Sequence, residues 1–465
     1  MTSTITARVA AHVAAVAARD LDDLDVEALR RLLLDNLIVT LWGATRPVTR
    51  DIAAWTERFA GSGTSAVLGR SWTTEASIAA LVHGTAAHGY ELDDTHNGTA
   101  SHPGAPLVAT ALAVAAEPGP TVRPAHFLQA LAAGYEAMTL LGEASGGMSA
   151  VHRGFHPTAL YGAFGAAVTT LALRALRRDR SVDPDAVVTA WGHALSMPSG
   201  SMQFSVEPTG GEIKRVHAGL GAHNGIRAAD FSALPGVTAP RAAIEGTYGV
   251  AASFAGPLRE PNLGRGLRIH ELALKPYSCC RLFHSTIDAL REATAGFTLP
   301  VEQIADIEIA GPRLVEEQHM GRAESPMAAQ YSCPYIVGAT LAYGPSRYDA
   351  YGEAFLADRA ITSIADRVRF RLDPELEKRY YPDHFASAVR LTTVDGAVRT
   401  AMVVDSLGTA EHPLSVDDIG DKADGLAAFG LQGVADRLRA VIFSDAGPSA
   451  LAEALHREAS AVVTR

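Results

Sequence analysis

The chain has 465 residues, too many for one ordinary hydrophobic core, so two domains are expected. Apolar residues make up 48% and charged residues 20%, which excludes a disordered chain, and a net charge of -11 excludes the basic footprint of a nucleic-acid binder. The three cysteines, two of them adjacent at Cys279 and Cys280, offer neither a disulfide framework nor a zinc-binding CxxC pair, so a reducing, cytoplasmic setting is expected.

The Ala/Val-rich stretch from Val9 to Ala18 is broken by His12, ends at Arg19 and runs into acidic residues. It reads as an amphipathic helix of the folded protein rather than a signal peptide. No uninterrupted apolar run reaches about 18 residues, so no membrane span or membrane partner is expected. Helical spacing then recurs over 26–42, 74–92, 104–116, 124–142, 156–177, 184–196 and 217–234. Many of these segments are rich in Ala and Gly, which lets helices approach closely.

The pattern changes near residue 268. Arg268 to Pro276 alternates like a strand, as do Ile304 to Ile309 and Val368 to Leu372. Ala388 to Val404 reads as a hairpin turned by Asp395-Gly396. Helices are expected over 285–295 and 335–341, and again over 426–441 and 448–463 after the strands end. The expected fold is mainly α with a smaller α+β domain. A large all-helical domain spans 1–268 and is completed by 405–465, and the α+β domain spans 269–404.

Only four of the 40 basic residues are lysine: Lys214, Lys275, Lys378 and Lys422. In so arginine-rich a chain, a surviving lysine marks a place that needs a compact ammonium. Lys378 and Lys422 lie among charged neighbours and read as solvated surface. Lys214 lies just before a helical segment, and Lys275 at the end of an expected strand beside a domain junction.

Chemistry-bearing residues cluster near both. Asp93-Asp94-Thr95-His96 is followed by His102-Pro103, with Pro103 placed as the first residue of a helix and His102 at its cap. The N–H groups of such a start bind anions, and its dipole favours a neutral histidine suited to act as a base. The same construction recurs at His156-Pro157 and at Cys333-Pro334-Tyr335. A third cluster runs from Ser199 through Gln203 to Gly210-Gly211-Glu212-Ile213-Lys214, without the spacing of a phosphate loop. His152 and His156 are four apart, but Gly154 and Pro157 interrupt any helix through them, so no metal is expected there.

Taken together, Asp93-Asp94-Thr95-His96 with His102-Pro103, Arg153-Gly154-Phe155-His156-Pro157-Thr158, Gly200-Ser201-Met202-Gln203-Phe204, Lys214-Arg215-Val216-His217-Ala218-Gly219, Ala243-Ile244-Glu245-Gly246 and Lys275-Pro276-Tyr277-Ser278-Cys279-Cys280-Arg281 resemble the MmgE/PrpD family. The resemblance implies a helical domain built from both chain ends and an inserted α+β lid. It also implies a homodimer with a site between domains and no metal or organic cofactor. Activities known in the family are 2-methylcitrate dehydration, cis-aconitate decarboxylation and iminodisuccinate epimerisation.

Carried over by position, the implied site residues are Asp93, Thr95, His102, His156, Lys214, Lys275 and Tyr335, with Gln203 from the Gly-Ser-Met-Gln-Phe stretch. His102 is expected as base, and His156 as partner acid or carboxylate ligand. Asp93 would orient the imidazole, while Lys214 and Lys275 hold carboxylates. Thr95, Tyr335 and Gln203 would contact substrate. Glu91 stands where cis-aconitate decarboxylases carry an aspartate.

The expected function is that of a cofactor-independent lyase or isomerase, acting on a small di- or tricarboxylate by proton abstraction next to a carboxylate. The foremost reading is a 2-methylcitrate dehydratase-like hydro-lyase, and the alternatives are decarboxylation and epimerisation. The non-enzymatic rival is an inactive carboxylate-binding helical dimer.

Overall fold

A computed structural model describes residues 4–198, 200–207, 211–296, 300–444 and 446–463. Ser199 and Gly210 of the third cluster lie outside these residues. The chain divides into two compact units. The first comprises Met1–Met202, Ile213–Leu272 and Ser415–Arg465, and the second Gln203–Glu212 and Ala273–Leu414. The expected boundaries after 268 and 404 lie instead after Leu272 and Leu414, and the short segment Gln203–Glu212 belongs to the second unit.

Among the described residues, the first unit is helical apart from a two-residue antiparallel ladder, Ser65–Ala66 with Thr73–Thr74, and two isolated bridges, His96 with Ser101 and Phe155 with Ser201. Its first helix, Ile5–Ala18, is capped by the Thr4 hydroxyl accepting from the Ala7 N–H, and it buries Val9, Val13 and Val16. Four helices form the layer that carries the chemistry: Ala76–Ala87, Gly104–Ala115, Pro157–Leu176 and Ile213–Ser232, which pack on one another. Every residue of Ala76–Ala87 is buried. Pro157–Leu176 is long and apolar enough by composition to cross a membrane, yet most of it is buried among its neighbours.

Glycine sets how closely these helices approach. A Cβ on Gly219 would lie 2.2 Å from the Leu81 carbonyl oxygen, and one on Gly84 would lie 2.8 Å from the Gly219 Cα. The helices of 76–87 and 213–232 therefore meet backbone to backbone.

The second unit is built on a four-stranded mixed sheet. Its order is Val368–Leu372, Ile304–Gly311, Ser387–Thr393, Val398–Val403. The first pair is parallel, with Ile307 opposite Val368, and the other pairs are antiparallel, with Ile309 opposite Val389 and Val389 opposite Ala401. The hairpin turns at Asp395-Gly396 as expected, Gly396 adopting the left-handed φ of 85° that the turn requires. Ile307, Ile309, Val389 and Leu391 join Ile287, Leu290, Ile336 and Val337 in the unit's core.

Three expectations fail. Arg268 to Pro276 is not a strand but opens with a 3-10 turn, Arg268–Glu271. The polar member of the alternation is itself buried: Arg268 donates to Glu136 from its backbone N–H (3.0 Å) and from Nη1 (2.9 Å). The helix expected over 426–441 is a 3-10 turn, Ala427–Phe429, and a shorter helix, Val434–Ile442, separated by Gly430 and Gly433 with φ of 85° and 66°; a helix not expected, Val416–Asp424, precedes them. Lys422, read as surface, is buried, and its ammonium donates to Asp35 Oδ1 (2.7 Å) and to the Leu92 carbonyl (2.9 Å). Lys378 is exposed, as expected.

Candidate active site

The first unit brings together Asp93, Thr95, His102 and His156, with Lys214 at the edge of the same group. The Ala76–Ala87 helix ends at His88, whose N–H bonds the Gly84 carbonyl. The chain then enters a buried polar loop that folds on itself: the His96 N–H donates to Ser101 O (2.9 Å), and the Thr99 and Ser101 hydroxyls are 2.7 Å apart. Lys422 holds this loop by the Leu92 carbonyl. The Asp94 carboxylate accepts from the Gly104 N–H (2.8 Å), which ties the loop to the start of the next helix. Pro103 is the N-cap there rather than the first helical residue, so His102 lies one position before the cap. Burial, and next the neighbouring Asp93 charge, push the Asp94 carboxyl up to about 8.

His102 is held at both ends. Its backbone N–H donates to the Thr158 hydroxyl (3.0 Å), and its Nδ1 is 2.8 Å from the Asp94 carbonyl oxygen. A carbonyl only accepts, so Nδ1 carries the proton. In the neutral ring Nε2 is then the basic nitrogen. Thr95 Oγ1 lies 3.4 Å and Asp93 Oδ1 3.6 Å from the same Nδ1. The tight partner of Asp93 is instead His88, whose Nδ1 is 2.6 Å from Oδ2. Asp93 thus bears on His102 by charge more than by a hydrogen bond, and His88 is the residue it orients.

His156 caps the Pro157–Leu176 helix as expected, with its own N–H donating to Gly200 O (2.6 Å). Its Nδ1 lies 3.0 Å from Nδ1 of His217. Two nitrogens at that distance share one proton, so one donates and the other accepts. The pair therefore carries at most one positive charge. His217 is pushed down to about 4 by burial, and secondarily by the Lys214 ammonium one turn before it.

Ring centroids of His88 lie 4.9 Å from His102 and 5.5 Å from His156, and His156 lies 5.1 Å from His217. Lys214, in the first turn of Ile213–Ser232, is fully buried and donates to Glu91 Oε1, as does Arg215 at 2.8 Å.

The remaining expected residues belong to the second unit. Lys275 is fully buried there, next to Leu274, whose N–H donates to Gly408 O (2.8 Å). Tyr335 lies on the Cys333–Tyr343 helix, and its hydroxyl donates to the Ala350 carbonyl (2.8 Å). Gln203 is exposed and donates to Glu207 (2.7 Å).

Sequence reasoning missed His88, His217 and Arg215. His217 stands three residues after Lys214 in a helical segment, a spacing that places both on one face and was a usable signal. His88 gave no such signal.

For a metal, His88 Nδ1, Asp93 and His102 Nδ1 offer donor atoms within 4.8 Å of one another. The 2.6 Å bond between His88 and Asp93 leaves no room for a cation between them, and His102 Nδ1 is committed to a carbonyl. This donor set fits a proton-holding network better than a metal centre.

The MmgE/PrpD N-terminal domain matches residues 7–260 and the MmgE/PrpD C-terminal domain residues 277–445. The chain is 26% identical over 435 residues to a cis-aconitate decarboxylase of Aspergillus terreus (strain NIH 2624 / FGSC A1156), covering 88% of this chain and 86% of that protein. It is 25% identical over 443 residues to the Homo sapiens cis-aconitate decarboxylase (91% and 87% covered) and 23% identical over 435 residues to that of Mus musculus (91% and 86%). Two family domains that follow one another along almost the whole chain place it in the MmgE/PrpD family.

Proposed function

We propose that the chain is a cofactor-independent lyase or isomerase that moves a proton at a carbon next to a carboxylate in a small carboxylic acid. The observation that carries this reading is the fixed tautomer of His102: its Nδ1–H is held by the Asp94 carbonyl, leaving Nε2 as base. When Nε2 takes the proton, the electron pair passes onto the adjacent carboxylate as an enolate. Fixed positive charge steadies that build-up far better in a dry site than in water. Lys214 is a cation beside this network, and Lys275 is assigned the same task by the family resemblance.

His156 is the partner acid. Sharing its proton with a neutral His217 lets it give one up and take it back without two imidazolium ions facing each other. In a hydro-lyase His156 protonates the departing hydroxyl, which leaves as water while the double bond forms. In a carboxy-lyase carbon dioxide leaves with its bonding pair left on carbon, and a protonated histidine returns the proton there. The hydro-lyase is the first reading. Decarboxylation is the second, and the relatives named as cis-aconitate decarboxylases favour it. Thr95, Tyr335 and Gln203 are assigned to substrate contact, and a homodimer to the working state.

The test is proton NMR in heavy water with a panel of citrate-like and dicarboxylic acids. Loss of a carbon-bound proton signal next to a carboxylate is expected for at least one acid. A panel without exchange, alkene formation or carbon dioxide release would leave the inactive binding protein as the better account.

A further inference from the structure

The proton-transfer scheme makes no use of two buried charges of the first unit, Glu91 and Arg215. Lys214 and Arg215 are consecutive on one helix, a placement that points side chains about 100° apart. Both nevertheless reach the same oxygen, Glu91 Oε1. All three side chains are buried. Glu91 also holds a left-handed backbone, φ 55°, in which a residue with a Cβ is uncommon. The loop therefore keeps an unfavourable backbone conformation at the residue whose carboxylate meets these two cations.

The balance of charge follows directly. Lys214 and Arg215 supply two positive charges that both meet one carboxylate, Glu91. His217 is held neutral, and Asp94, pushed up to about 8, is mostly protonated at neutral pH. A substrate carboxylate that docks on Lys214 meets a cation already matched from inside the chain. A second substrate anion at the same place would share its cations with Glu91 across a low-dielectric interior, where like charges repel strongly.

We propose that Glu91 is a specificity-determining residue: its carboxylate permanently occupies an anion position on Lys214 and Arg215, so the site takes small dicarboxylates in preference to tricarboxylates. The proposal rests on the reading of this cluster as a carboxylate site and narrows its substrate class.

The experiment is isothermal titration calorimetry on the full chain with two saturated probes that carry no leaving group, succinate and tricarballylate. The wild type should bind succinate more tightly. Glu91→Gln should shift the affinity ratio toward tricarballylate by about tenfold or more, the worth of one charge-assisted hydrogen bond to a buried cation. Glu91→Asp, which keeps the charge but is one methylene shorter, should shift the ratio the same way by less, and it serves if the glutamine variant does not fold. A wild type that prefers tricarballylate, or a ratio that neither variant moves, overturns the proposal while leaving the proton chemistry intact. Failure of the wild type to bind either probe overturns the carboxylate-site reading itself.

Discussion

A single carbonyl decides the chemistry of His102. Because the Asp94 backbone oxygen takes the Nδ1 proton, the ring cannot present Nδ1 as a base, and Nε2 is left to react. The acid side of the pH profile is set in part by His217. Its pKa is pushed down to about 4 from an ordinary 6.5, so the unfolded chain takes up a proton first as pH falls. The stability carried by neutral His217 is present above about pH 6.5 and is lost as pH drops toward 4. His217→Gln should therefore show a shallower fall in Tm over that window, measured by calorimetry against the wild type. Asp94 works in the opposite sense. Its carboxyl is raised from 3.8 to about 8, so the native state holds the proton more tightly and stability falls as pH rises through that range. Asp94→Asn should flatten that limb.

His88 was hard to read because a histidine at the end of an apolar helical pattern looks like an ordinary core residue. Lys422 misled for a related reason. Asp421-Lys422-Ala423 looks like solvated surface, and its acceptors, Asp35 and the Leu92 carbonyl, are hundreds of residues away in sequence.

The helices were largely legible: Gly104–Ala115, Pro124–Ala144, Pro184–Ala194 and Pro448–Val463 begin where proline or glycine said they would. The alternation of Arg268 to Pro276 was not, because periodicity cannot see that Arg268 is buried against Glu136. Two elements make testable claims. The 76–87 and 213–232 helices carry His88 at one end and Lys214 and His217 at the other's start, and their spacing depends on Gly219. Gly219→Ala would press a methyl into the Leu81 carbonyl and should cost roughly 1–3 kcal/mol or more by overpacking, with a loss of activity beyond the loss of folded protein. The Val416–Asp424 helix reaches the 91–102 loop through Lys422. Lys422→Met leaves Asp35 buried without its cation and should cost about 3–5 kcal/mol in chemical denaturation.

The whole molecule places the histidine network and Lys214 in one unit, and Lys275 and Tyr335 in the other. The proposed mechanism needs charged lysines and neutral histidines but no metal. Dialysis against a strong chelator should leave activity unchanged, and stoichiometric loss of metal together with activity would instead assign His88, Asp93 and His102 as ligands. His102 is the base of the proposed mechanism. Exchange of the substrate's carbon-bound proton with solvent, followed by NMR in heavy water for wild type and His102→Gln, tests it. The variant should lose exchange by roughly a hundredfold or more while still binding the carboxylate. Exchange at the wild-type rate in His102→Gln would contradict the account and move the base to His156 or Asp93.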